Sequence, residues 1–485
     1  MSPTEISYFG FPEKINNRTK PTIMNLYSHL KARAEAERPI RVVIIGAGKF
    51  GTMFISQIRN TPGMHLLGVA DLSIPRAKAA LLETGWPIEQ TGATSPSKAL
   101  ANGTTFITDD AEALINAGGV EVVIEATGVP EAGVRHALSA FVRGRHVVMV
   151  NVEADVLCGP LLAEKAKEAG VVYSLAYGDQ PALIHEQVDW ARSSGFEVVA
   201  AGKGTLYMPE FHASTPDTIW DYYGLTAERA KKSGMNAKMF NSFLDGTKSG
   251  IEMAAVSNAC NLSPAPGGLA FPACEVGEIA STLIPEKDGG KLHHSGQVEV
   301  ISSRFEDGND VENDLRWGVY VTFKAPSEYV ERCFSDYGLI TGGDGKYTAL
   351  WRPYHLIGLE LGISVAYAGL FKQATGSASG FRADVAATAK RDLKKGEVLD
   401  GEGGFTVWGR LMAAGDSLSL GAVPVGLAHG LKLNKPLREG NIVTWSDVDM
   451  TDAVSSSLSY KVRREMEMKI KPAAGAPRTQ GASSP

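Results

Sequence analysis

Four groups of side chains in this 485-residue chain have types and spacing that could carry chemistry. The first is Lys203, held between Gly202 and Gly204 in "EVVAAGKGTLY" (197–207), an apolar run that reads as a buried strand. An ammonium between two glycines at a strand end has little side-chain cover, and backbone there can approach a ligand closely. Lys203 could bind a substrate oxygen or phosphate, or stabilise a developing alkoxide; the competing reading is a solvated loop lysine. The second group is Asp245 and Lys248, three apart in "FLDGTKSGIEMA". On a helix that spacing predicts a shared face and an ion pair. A lysine so placed could exchange a proton near neutral pH if burial or a nearby cation lowered its pKa. The third group is Glu153, Asp155 and Asp179, carboxylates at or just beyond strand ends. They could orient substrate hydroxyls, hold a divalent cation through oxygen, or only cap turns and helices. The fourth is Arg352, Tyr354 and His355 in "RPYHLIGLE", where His355 either lines a cleft or is a buried structural group.

Some metal chemistry is disfavoured. There is no HExxH, and Cys158, Cys260, Cys274 and Cys333 are too widely spaced for a zinc cluster or a disulfide framework. His293 and His294 adjoin in "KLHHSG", and neighbours on a strand would point to opposite faces, so both are expected at the surface.

A second constellation supplies a nucleotide. "VVIIGAGKFG" sets Gly46, Gly48 and Gly51 in GxGxxG spacing between an apolar run and a helical one, with Lys49 and Phe50 inside the motif. The first glycine permits the tight turn, the second lets a pyrophosphate approach, and the third lets helix pack on strand. Asp71 ends the next apolar run, 25 residues after Gly46, where a carboxylate accepts ribose hydroxyls and favours NAD. Ser73 and Arg76 follow it and could instead hold a 2′-phosphate. NADPH is the expected cofactor, with NADH open. Thr127 and Gly128 of "EATG", and Asn151 ending the following strand, belong to the same rim and could border the nicotinamide ribose or be simple turn residues.

The elements that must position these groups follow from patterning. From residue 39 to 178, apolar runs alternate with amphipathic ones, which predicts an α/β fold with a Rossmann doubly wound parallel sheet. A helix within the extension 1–38 ("TIMNLYSHLKARAEAE") precedes it, and 85–106 reads as an insertion. Residues 179–380 predict an α+β substrate domain with an antiparallel sheet and one helix over 241–259. Residues 381–452 predict a small β-rich domain, and 453–485 a tail whose low-complexity end is expected to be disordered. In "GEGGFTVWGRLM", Glu402, Trp408 and Arg410 suggest a loop that covers the site or meets another subunit.

Composition sets the context. The net charge of −6 and the lack of a basic block argue against nucleic acid, and no apolar run is long enough for a membrane span. "MSPTEISYFGFPEKINNRTK" has no apolar core of a secretory signal. A cytoplasmic protein, acting on a small molecule and forming a homo-oligomer, is the expectation.

"GDQPALIHEQVDWARSSGFEVVAAGKGT" (178–205) resembles the homoserine dehydrogenases through Gly178, Pro181, Gly202, Gly204 and Thr205, with "EATG" and Asn151 in support. Those enzymes usually have lysine after the asparagine, where this chain has Val152 and Glu153, and asparagine where it has Lys203. The sequence is more similar to the 1-deoxy-D-xylulose 5-phosphate reductoisomerase-like proteins, through "VMVNVEADVL", "YSLAYGDQPAL", "FNSFLDGTKS", "RWGVYV", "PYHLIGLEL" and "GEGGFTVWGRLM". That resemblance implies a C-terminal SAF-type β-clip and an NAD(P)H-dependent oxidoreductase. It also implies that Asp245 and Lys248 serve substrate binding and proton transfer. Reduction with rearrangement, a dehydrogenase without rearrangement, and a nucleotide-binding sensor without turnover remain the alternatives.

Overall fold

In a computed structural model describing residues 25–232 and 236–470, the first domain is a six-stranded parallel sheet. Its strands are β1 (Ile40–Ile45), β2 (Met64–Ala70), β3 (Phe106–Thr108), β4 (Val122–Glu125), β5 (His146–Met149) and β6 (Tyr173–Leu175). They lie in the order β3-β2-β1-β4-β5-β6. The central strands are mostly apolar, VVII at 42–45 and VVI at 122–124, because both faces are covered. Helices Lys49–Ile58 and Ile74–Glu83 bury Phe54, Ile55, Ala77 and Leu81 on one face. Helices Pro130–Val142 and Val152–Glu168 bury Val134, Ala137, Leu157 and Leu161 on the other. The strand order reverses between β1 and β4, which opens the crevice where such sheets bind ligands. The expected insertion contains helix Pro96–Asn102 and leads into β3, a short edge strand that the alternation of longer runs does not announce.

The second sheet has strands β7 (Glu197–Thr205), β8 (Gln297–Ser302), β9 (Val319–Lys324), β10 (Thr341–Gly342) and β11 (Tyr347–Arg352), in the order β10-β11-β9-β7-β8. It is mixed rather than antiparallel. β7 and β8 run parallel because the long connection between them crosses over through a helix, while the other pairs are antiparallel.

The helix expected over 241–259 is two helices, Ala237–Leu244 and Thr247–Cys260. The break falls at Asp245–Gly246. Gly246 takes φ of 88°, and the Asp245 carboxylate turns back to accept the Thr247 N–H at 2.9 Å. The second helix is buried almost along its whole length between helix Gln180–Ser193, the second sheet and the C-terminal strands.

The C-terminal region carries β12 (Ala383–Ala389) paired with β13 (Val407–Ala413), and β14 (Lys432–Leu433) paired with β15 (Val448–Asp449), around its own apolar cluster. Helix Leu458–Lys469, expected to be tail, instead packs on helices 130–142 and 152–168. Val462 and Met466, four apart, are buried there, and Arg463 is buried in a two-pronged pair with Asp384 at 3.1 and 2.7 Å. The low-complexity stretch 471–485 and most of the N-terminal extension lie outside the described residues. No helix among the described residues is long and apolar enough to cross a membrane.

Candidate active site

The glycine turn is built as a phosphate cradle. At Gly46, φ is +103° and a Cβ would stand 2.5 Å from the Ala126 carbonyl oxygen; at Gly51 a Cβ would stand 2.1 Å from the Gly46 carbonyl oxygen. Gly48 has open space on its Cβ side and begins helix 49–58 with no side-chain cap among the described residues. Its free N–H groups and positive dipole end suit a pyrophosphate. Lys49 is exposed at this turn, and Phe50 is half-buried, its carbonyl packed against Gly358.

Asp71 is already saturated. Its Oδ2 accepts the Ala47 N–H at 2.8 Å and Arg76 Nε at 3.0 Å, while Oδ1 accepts the Ser73 N–H at 2.8 Å and Arg76 Nη2 at 2.7 Å. Burial favours protonation, but Arg76 and the two N–H groups outweigh it and hold the carboxyl below the usual range. On the opposite rim, Thr127 donates to Glu125 Oε1 at 2.6 Å, and exposed Gly128 takes φ of +67°. Asn151 accepts the Ala154 N–H at 3.1 Å and donates to the Val129 carbonyl at 3.0 Å, so its amide caps helix 152–168 and pins the rim loop.

Beyond that rim, β7 and helix 247–260 bring two lysines and four carboxylates together. Lys203 is 6% exposed and ion-pairs with Glu252. Its flanking glycines do not serve a ligand. A Cβ at Gly202 would stand 1.7 Å from the Glu299 carbonyl oxygen and one at Gly204 2.0 Å from that of Leu315. In a strand they face away from Lys203, so they admit neighbouring backbone on the opposite side. Lys248, in the first turn of its helix, pairs with Glu153 Oε1 at 2.6 Å. Asp179 caps helix 180–193 through the Gln180 N–H at 2.9 Å, and Glu402 arrives from the C-terminal region.

The charges in this cluster are coupled. Burial alone would lower Lys248, but Glu153, then Glu252, Asp179 and Glu402, hold its ammonium well above the usual lysine range. The condition set above for proton exchange near neutral pH, a lowered pKa, is not met, because its neighbours are anions. Burial, then Glu252, push Asp179 up to about 7; burial, then Glu153, push Glu402 up to about 8. His355 lies near Lys203 and Glu252 and is held neutral by burial. Its Nδ1 is 2.8 Å from the Trp317 carbonyl, which requires the proton there and leaves Nε2 as an acceptor.

Several expected residues stand elsewhere. Asp245 does not pair with Lys248, since the helix break turns it towards Lys390 at 2.7 Å. Lys390 also donates to the Ser214 and Gly404 carbonyls at 2.6 and 2.8 Å, so Asp245 and Lys390 anchor the domains to each other. Asp155 is buried within the first domain, hydrogen-bonded by the Tyr173 hydroxyl at 2.9 Å, and burial pushes it up to about 6. Arg352 is engaged by Glu360, 5.5 Å from the Tyr354 ring centre. His293 and His294 lie in a turn rather than a strand, with ring nitrogens 3.2 Å apart, half-buried. Trp408 stacks on His212 with centroids 3.9 Å apart, and Arg410 bonds the Gly267 carbonyl at 3.0 Å, so both make contacts within the chain. No three His, Cys, Asp or Glu side chains among the described residues are grouped to hold a metal ion. Glu153 and Glu252 each face an ammonium instead.

Sequence reasoning missed Glu252 and the approach of Glu402 to this cluster. Glu252 follows Lys248 by four residues, a helical spacing that marks one face. For Glu402 only the glycines around it gave a signal.

The fold and cradle place the chain in a class before any comparison: a dinucleotide-binding α/β domain followed by a mixed-sheet domain that shares its rim. Residues 40–150 match the GFO/IDH/MocA family, described as an oxidoreductase family with an NAD-binding Rossmann fold. Residues 178–361 match the catalytic domain of oxidoreductase DRL. Both matched segments are thus described as oxidoreductase domains, the first of them NAD-binding. No curated protein matches the sequence. Among solved structures, the chain is similar to an oxidoreductase from Agrobacterium radiobacter in complex with NAD+, L-tartaric acid and magnesium (15% identity, 34% of this chain and 44% of that one, TM-score 0.27). It is also similar to a DOX-P reductoisomerase with fosmidomycin and magnesium (17%, 46% and 58%, 0.32). A third is myo-inositol dehydrogenase from Lactobacillus casei in complex with NAD(H) and myo-inositol (16%, 36% and 50%, 0.26). The chain thus spans about half the length of these proteins.

Proposed function

We propose that the chain reduces a small, oxygen-rich carbonyl compound with NADPH, using Lys248 as the acid that protonates the carbonyl oxygen. The observation that carries this reading is Lys248 itself, an ammonium kept charged by Glu153 and Glu252 beside the nucleotide rim. A lysine so firmly protonated stabilises an oxyanion and is no base at neutral pH; it gives its proton only to a strong base such as the alkoxide that hydride delivery creates, which favours carbonyl reduction over alcohol oxidation. Bound NADPH would supply the hydride. Lys203 and neutral His355 would orient substrate oxygens, one as donor and the other as acceptor at Nε2, with Asp179 and Glu153 receiving substrate hydroxyls.

NADPH is favoured over NADH because Asp71 has no lone pair left for ribose hydroxyls. The same bonds aim the Arg76 guanidinium, 58% exposed, at the place of a 2′-phosphate. Both active-site lysines are neutralised by carboxylates, which suits a substrate whose reacting end carries hydroxyls rather than phosphate. Rearrangement of 1-deoxy-D-xylulose 5-phosphate before reduction is the narrower version of the reading, supported by resemblance over much of the chain.

The test follows absorbance loss of NADPH and NADH with neutral hydroxyaldehydes and hydroxyketones, aspartate semialdehyde and 1-deoxy-D-xylulose 5-phosphate. NADPH oxidation by at least one carbonyl is expected. Lys248→Ala should cut turnover by about 100-fold or more, the scale of a lost acid, while leaving NADPH affinity nearly intact. Turnover with the ketose phosphate alone would select the narrower version. No oxidation with any of them would sink the proposal.

A further inference from the structure

We infer that Glu125, a buried carboxylate under the nucleotide rim, is a positioning residue: it acts through Thr127 to hold the loop that receives the nicotinamide half of the cofactor. The inference rests on the nucleotide site and is independent of the chemistry of Lys248.

The strand order decides which half of a dinucleotide meets this loop. β2 and β4 flank β1. Asp71 and Arg76 stand at the β2 end, on the adenosine side. A dinucleotide whose pyrophosphate lies over the Gly46 turn therefore reaches the β4 end with its nicotinamide half. There loop 126–129 lies on the cradle itself: a Cβ at Gly46 would stand 2.5 Å from the Ala126 carbonyl oxygen and 3.2 Å from the Thr127 nitrogen.

Glu125 ends β4 with its side chain wholly buried. Its Oε1 accepts the Thr127 hydroxyl hydrogen at 2.6 Å and lies 3.2 Å from Nδ1 of buried His136 on helix 130–142. A carboxylate oxygen only accepts, so His136 carries a proton on Nδ1. Gly133 makes room for the group, since a Cβ there would stand 3.3 Å from Glu125 Oε2 and 2.9 Å from Asn151 Nδ2. Oε2 is buried with no hydrogen-bond partner among the described residues. A buried carboxylate oxygen left unpaired costs stability, and its place under the rim points to a use in the site.

Thr127 is spent on the loop. Its hydrogen goes to Glu125, and its oxygen receives the Val129 N–H at 3.3 Å and Asn151 Nδ2 at 3.4 Å. That uses the donor and both lone pairs of the hydroxyl, so the cofactor meets the loop through its backbone. The Thr127 and Gly128 N–H groups have no backbone partner among the described residues. Gly128 is exposed, with open space on its Cβ side, so ribose and phosphate oxygens can come close to these donors.

The test is calorimetric titration of the full chain with the preferred dinucleotide, NADPH or NADH, and with its adenosine half alone, 2′,5′-ADP or ADP. Glu125→Gln removes the charge that fixes Thr127, Thr127→Val removes the hydroxyl at constant size, and Thr127→Ser keeps it. Glu125→Gln and Thr127→Val should each weaken the dinucleotide roughly 10-fold, the scale of a lost charge-assisted hydrogen bond, and leave the adenosine half within about twofold. Thr127→Ser should restore most of the affinity lost in Thr127→Val. The double variant should bind no more weakly than Thr127→Val alone, because the carboxylate works through that hydroxyl. If Glu125→Gln does not fold, the two Thr127 variants decide. Wild-type dinucleotide affinity in Thr127→Val, equal losses for the dinucleotide and its adenosine half, or additive losses in the double variant would each overturn the positioning role. A wild-type chain that binds neither nucleotide sinks the nucleotide site, and this inference with it.

Discussion

At the scale of single residues, the site places charges where they cost stability. Lys248 sits in the first turn of its helix, where the dipole disfavours a cation, and Lys203 is buried in a strand. Buried ion pairs rarely repay their desolvation, so Lys203–Glu252 and Lys248–Glu153 are better explained by chemistry than by stability. Arg76 gives the most direct test at this scale. Truncation to alanine takes two bonds from buried Asp71 but leaves it the Ala47 and Ser73 N–H groups. A charge-assisted hydrogen bond is worth about 1.5–3 kcal/mol. Arg76→Ala should therefore weaken NADPH binding by roughly 10- to 100-fold and leave NADH binding little changed or improved, as Asp71 recovers lone pairs for a ribose. Nucleotide fluorescence titration checks this, and equal losses for the two nucleotides would contradict it.

At the scale of elements, the site depends on how closely β7 lies against its neighbours. Gly202→Ala would place a methyl 1.7 Å from the Glu299 carbonyl oxygen, a backbone atom that cannot swing aside. Overpacking of this kind costs about 1–3 kcal/mol. We expect a lower Tm and a large loss of turnover as Lys203 shifts, while NADPH affinity survives because the cradle lies in the other sheet. Calorimetry and nucleotide titration separate the two effects; a wild-type Tm would refute the crowding argument. This position also marks the limit of what the sequence discloses. The parallel sheet and the cradle were legible because β-branched runs, a helix start and three glycines are local patterns. Gly202 and Gly204 were legible as close-approach positions, but what approaches is Glu299 and Leu315, about 100 residues away. Asp245 and Lys248 had helical spacing, yet Gly246 between them allowed a break, and each found its partner on a distant segment. Pairings of that range are set by tertiary packing and leave no periodic trace.

At the scale of the molecule, the C-terminal region is bound to both other domains: Lys390 pairs with Asp245, and Arg463 donates to the Leu157 carbonyl of helix 152–168 at 3.3 Å. The cost of burying acidic groups should appear in the pH dependence of stability. Folding raises Asp179 and Glu299 to about 7 and Glu402 to about 8, far above the ordinary carboxylate value. Through neutral pH the native state therefore holds more protons than the unfolded chain, and stability falls as pH rises. Buried histidines act in the opposite sense at lower pH. His185, His212 and His355 are held neutral, chiefly by burial, so the unfolded chain binds more protons once pH drops below about 6.5. Carboxylates held low, such as Asp71 and Asp384, lose their contribution only as pH falls below the ordinary carboxylate range. The three sets together predict a Tm that is highest near pH 6.5 and declines steadily towards about pH 9. Asp179→Asn or Glu402→Gln should flatten that decline, because each removes one group whose ionisation the native state resists. A Tm that holds or rises across the alkaline range would show that these carboxyls are ionised in the folded protein.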